Sequence, residues 1–109
     1  MENKSSKVPQ FNGANYNSWK GKMKDHIMSL GYEVWESIEE GWTMPATGIG
    51  KDVAARQACD NNSKAKAALN QALSESEYSR VIGCKSAKEV WDKLQAIHEG
   101  DNVVKEAKL

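Results

Sequence analysis

The sequence predicts an all-α domain, a compact bundle of five or six helices with an extended N-terminal segment. Three observations carry that expectation. No stretch alternates polar and apolar residues over the length of a strand, whereas apolar residues recur every three or four positions through most of the chain. Three of the four tryptophans fall on such stripes. Two Ser-x-x-Glu signatures, Ser74 with Glu77 and Ser86 with Glu89, each open a helical segment.

Residues 1–8 read as a flexible tail, polar as far as Lys7. Val8 to Phe11 reads as extended, because Pro9 fixes its own backbone and biases Val8 away from helix. "NGAN" at 12–15 is a turn. The first helix is expected from about Asn15 to Leu30, capped by Asn15 or Asn17, with Tyr16, Trp19, Met23, Ile27 and Leu30 on one stripe. Gly31 stops it. A second, from about Tyr32 to Glu39, gathers Val34, Trp35 and Ile38.

"GWTMPATGIG" at 41–50 is a loop, since three glycines and a proline in ten residues exclude regular structure. Trp42 lies in it, on no stripe, and is either a lid over the core or an exposed contact. The third helix, about Lys51 to Leu73, aligns Ala54, Ala58, Ala65, Leu69, Ala72 and Leu73. "DNNS" at 60–63 predicts a kink or break, because these side chains compete for the backbone. A short fourth helix holds Tyr78, Val81 and Ile82. The fifth places Ala87, Val90, Trp91, Leu94 and Ile97 on one face and is expected to end at Gly100. Residues 9–100 are thus one helical lobe, and 101–109 are expected to begin a further helix leading to a second lobe.

Composition narrows the function. The 109 residues suffice for one domain with one core. Lysine plus arginine equals aspartate plus glutamate, 15 each. The basic excess that drives nucleic-acid binding through counterion release is therefore missing, while self-association meets no long-range repulsion. The two cysteines belong to no metal-ligand spacing and suggest a reduced, cytoplasmic or nuclear protein. No apolar run approaches the length of a membrane span. His26 and His98, the two histidines, read as surface or helix-end residues, without carboxylate or cysteine at ligand spacing. "GIGK" at 48–51 lacks the second half of a phosphate loop and follows no strand. Catalytic residues, metal ligands and cofactors are not expected.

The expected core comprises Phe11, Tyr16, Trp19, Met23, Ile27, Trp35, Leu69, Val90, Trp91 and Leu94. Phe11, held extended by Pro9, is expected to fold back after Gly13 onto Tyr16 and Trp19 and fill a groove between helices. Pro9 and Trp42 are candidate partner contacts.

In order, these landmarks resemble the N-terminal Gag region of copia-type long-terminal-repeat retrotransposons, common in plant genomes. Phe11, Gly13, Asn15, Tyr16, Trp19 and Met23 match the pattern F-x-G-x-N-Y-x-x-W-x-x-x-M, and Ala87, Glu89, Trp91 and Leu94 match A-x-E-x-W-x-x-L. The resemblance runs through nearly the whole chain from Pro9. It implies the N-terminal half of a two-lobed capsid region that self-associates into a shell around element RNA, with a downstream zinc knuckle gripping the RNA. A host-adopted adaptor holding a peptide in an inter-helix groove is the alternative. RNA binding by this lobe alone is the weakest reading, given the balanced charge.

Overall fold

The computed structural model describes residues 7–107, with side chains through Glu99. Residues 1–6, most of the expected tail, lie outside it, and so do residues 108–109. Five α-helices follow one another among the described residues: α1 (Tyr16–Leu30), α2 (Tyr32–Glu40), α3 (Val53–Ala72), α4 (Glu75–Val81) and α5 (Ala87–Ala107). The all-α expectation holds, with no strand among the described residues beyond a single parallel bridge between Phe11 and Leu73.

Each amphipathic stripe supplies one wall of the core. Helix α1 contributes Tyr16, Trp19, Met23 and Ile27; α2 contributes Val34, Trp35 and Ile38; α3 contributes Ala65, Ala68, Leu69 and Ala72. Val90, Trp91 and Leu94 of α5 complete it. The alanines of α3 matter here, because small side chains let the helix approach the bulky rings and keep the interior filled.

Several local expectations fail, each for a physical reason. Asn15 occupies the N-cap position of α1, but in a left-handed conformation (φ 57°, ψ 47°) and without a side-chain cap, so neither it nor Asn17, which lies inside the helix, caps α1. Leu30 ends the α1 stripe yet is 43% exposed, and Ile82 is 65% exposed; both sit at helix ends, past the reach of a facing element. Ala54 and Ala58 are also exposed, since the core lies under only the last three turns of α3. That helix starts at Val53, two residues later than expected, because the Asp52 carboxylate accepts from the amides of Ala54 (2.9 Å) and Ala55 (3.2 Å).

Residues 60–63 neither kink nor break α3. Their side chains bond elsewhere instead of competing for their own backbone. Asp60 pairs with Lys64 one turn on, and Asn61 accepts from Gln57 one turn back. Asn62 is buried, and its Oδ1 accepts the amide of Ala87, 25 positions away, at 2.9 Å. The expected breaker thus caps α5. Ser86 Oγ accepts from the Glu89 amide (3.2 Å), and Glu89 reaches back to the Lys85 amide (2.9 Å). Helix α5 then passes through Gly100 to Ala107, so Gly100 does not end it.

Candidate functional site

The N-terminal segment is built into the lobe. Helix α3 ends at Ala72, and Leu73 after it is extended, which leaves backbone groups at the α3–α4 joint without helical partners. Phe11 takes them: its amide donates to Ala72 O (2.8 Å), and its carbonyl accepts from the Ser74 amide (3.0 Å). Two further bonds hold the residues before it. Trp19 Nε1 donates to Pro9 O (3.0 Å), and Gln10 Nε2 donates to Gln71 O (3.2 Å). Val8, expected in the tail, packs against the core instead.

The Phe11 ring enters the interior and is 2% exposed. It stacks on Trp19 (centroids 4.6 Å apart, planes 21°) and meets Tyr16 edge-on at 5.7 Å. From Trp19 the aromatic contact continues to Trp91 at 6.0 Å, and from Trp91 to Trp35 at 5.2 Å in a T-shape. One run of rings therefore joins the N-terminal segment, α1, α5 and α2. Such pairs add about 0.5–1.5 kcal/mol each beyond the area they bury. Lys24 Nζ lies 5.2 Å from the Trp35 ring, covering the far end with a cation.

A polar pair closes the near end. His98, read from sequence as a surface or helix-end residue, is largely buried. Its ring stacks on Tyr16 (5.4 Å) and meets Phe11 edge-on (4.9 Å), while its Nε2 donates to Glu77 Oε1 at 2.8 Å. Glu77 was expected to reach back to its own helix start. Only half of that capping box forms, with Ser74 Oγ accepting from the Glu77 amide, because the carboxylate turns inward to His98. Lys20 and Glu99 pair beside it at 3.4 Å. Burial, and after it the negative charges of Glu99 and Asp92, push the Tyr16 phenol well above the ordinary tyrosine range.

All ten expected core residues, Phe11, Tyr16, Trp19, Met23, Ile27, Trp35, Leu69, Val90, Trp91 and Leu94, lie in this one interior. Pro9 and Trp42 do not share a site. Pro9 borders a shallow cleft of about 420 Å³ beside the clasp formed by Pro9–Phe11, with Asn12, Ser18 and Lys22. Half-buried Trp42 borders another of about 310 Å³ between α2 and the start of α3, with Glu36, Glu40, Ala54 and Ala58. Sequence reasoning missed Glu77, His98 and Asn62. Each looks local in sequence, and its partner lies more than 20 positions away. Among the described residues no group of three His, Cys, Asp or Glu side chains is arranged to hold a metal ion. No helix among the described residues is long and apolar enough to cross a membrane. Cys59 and Cys84 are both free, and burial raises the Cys84 thiol pKa.

These features define a small helical lobe whose interior is filled by rings. Over residues 23–109 the chain matches the family described as the gag-polypeptide of LTR copia-type, and it belongs to that family. No curated protein and no solved structure matches it. The matched stretch begins inside α1, so the clasp and Trp19 lie ahead of it.

Proposed function

We propose that this lobe is a non-enzymatic building block of a retrotransposon Gag polyprotein and contributes protein–protein contacts to a capsid or virus-like particle. It acts in the cytoplasm or nucleus. The family match carries the reading, because Gag polypeptides are structural proteins. The surface supports it. With the core complete, Tyr32, Met44 and Val53 remain outside, Val53 at 79% exposure, and the balanced charge places no barrier between copies. The adaptor alternative loses ground. Its peptide would lie in the inter-helix groove with Trp42 and the glycine loop beside it, whereas Pro9–Phe11 fills the groove by the α3–α4 joint and Trp42 borders a different cleft.

Light scattering over a concentration series tests the proposal. The mean mass should rise with concentration, and electron microscopy at the upper end should find closed or curved assemblies. A chain that stays monomeric to millimolar concentration would overturn it. Retention on RNA at moderate salt would instead favour a direct nucleic-acid role.

A further inference from the structure

The groove that receives Pro9–Phe11 is made wholly of residues that follow the turn. Its polar partners are Trp19 Nε1, Gln71 O, Ala72 O and the Ser74 amide, and its apolar walls are the rings of Tyr16, Trp19 and His98. No part of this receptor requires the segment to belong to the same chain. The connection is short and sharply bent. Asn12 Oδ1 accepts from the Ala14 amide (3.0 Å), Gly13 has φ 104° and Asn15 has φ 57°. A Cβ on Gly13 would lie 3.0 Å from Glu77 Oε2, so the turn is pressed against the lobe. Opening it releases a positive-φ backbone and leaves the four hydrogen bonds and the ring stack to be remade elsewhere.

We infer that the clasp is exchangeable: Pro9–Phe11 of one copy docks in the groove of a second copy, with the hydrogen bonds and stacking it makes within its own chain. The occupant is fixed by the structure, since an extended Pro-x-Phe segment with Phe11 amide and carbonyl on Ala72 and Ser74 is what the groove holds. Each copy carries one segment and one groove. Reciprocal exchange gives a closed dimer, and one-way exchange gives an open chain of copies. Residues 12–15, straightened, reach about 13 Å at roughly 3.3 Å per residue, which brings the two lobes into direct contact. The inference supplies a specific contact for the assembly proposed above and rests on that reading for its biological purpose.

The test replaces Gly13 and Ala14 together by proline. Proline holds φ near −65°, which the turn at Gly13 cannot accept, so the segment cannot fold back and points outward. Light scattering should then give dimers or larger species. Adding Phe11→Ala to the same chain should return them to monomers. A folded monomer of the double-proline chain would overturn the inference, as would oligomers that persist without Phe11. The second arm uses the full chain carrying Phe11→Ala and a synthetic peptide of residues 7–15. A saturable rise in melting temperature, absent with the alanine version of the peptide, is expected. No rise at millimolar peptide would overturn the inference even if the double-proline chain fails to fold. The wild-type concentration series is read separately. Wild-type assembly beside a monomeric double-proline chain would sink the exchange and keep the assembly. Phe11-dependent oligomers beside a wild type that never associates would do the reverse.

Discussion

The two ends of this lobe are built on different terms. At the clasp end, Phe11, Tyr16, Trp19, His98 and Glu77 come from four separate segments, and Phe11 is tied by backbone bonds to the α3–α4 joint. At the other end, α2 turns through a glycine-rich loop into the first two turns of α3, where Met44, Val53, Ala54 and Ala58 are exposed and Trp42 is half-buried. Both ends carry a tryptophan and a proline. The difference is whether the ring meets other rings. Trp19 has Phe11, Tyr16 and Trp91 around it, whereas Trp42 borders a cleft whose other lining residues include alanines and glutamates. A large aromatic residue stabilises a small fold only where separate elements converge on it.

That contrast can be broken most forcefully at Phe11 and Trp91. Either one changed to alanine should cost about 3–5 kcal/mol. Set against a total of about 5–15 kcal/mol for a domain of this kind, each change brings the lobe close to unfolding, as thermal melts should show. An unaltered melt for Phe11→Ala would mean that the clasp is dispensable and the two ends are alike. Asn62→Ala comes next, with an expected loss of about 1–3 kcal/mol, because the Ala87 amide is left buried without an acceptor. Urea denaturation of this variant reads the cost directly.

The third test concerns pH. Burial raises the Tyr16 phenol in the folded state, so the folded chain keeps a proton that the unfolded chain loses above the ordinary tyrosine pKa of 10.0. The stability held by this group is complete below that pH and declines as pH climbs past it. Tyr16→Phe should flatten the alkaline decline of the melting temperature while leaving the neutral value nearly unchanged. Trp42→Ala should cost less than either core truncation, about 1 kcal/mol, since the ring is only half-buried. A loss as large as that of Trp91→Ala would make Trp42 a lid over the core and erase the distinction between the ends.

How much of this was legible beforehand follows the same division. The helices could be read because Tyr16, Trp19, Met23 and Ile27, or Val90, Trp91 and Leu94, repeat at helical spacing whatever they pack against. The inward fold of Phe11 could be read because proline, a glycine turn and two rings stand in a row. The α3–α4 joint that receives its backbone could not, since the free groups at Leu73 arise from the way α3 ends. Nor could the roles of Asn62, Glu77 and His98. An asparagine at mid-helix, a glutamate in a capping pattern and a histidine near a glycine each have a sufficient local explanation, and the distant partner displaces it only when the chain is folded. Leu30, Ile82, Ala54 and Ala58 failed for the converse reason: a stripe shows which side of a helix is apolar but not whether a neighbour extends far enough to cover it.

The hydrogen bond from the Ala87 amide to Asn62 has a kinetic consequence. Helix α5 begins on an acceptor supplied by the middle of α3, so the Ala87 amide, unlike the locally capped Glu89 amide, is satisfied only after the 24 intervening residues have closed into a loop. The order of events during folding is therefore set in part by one carboxamide. The exchange of the Ala87 proton with solvent becomes a clock for the integrity of a helix to which Ala87 does not belong.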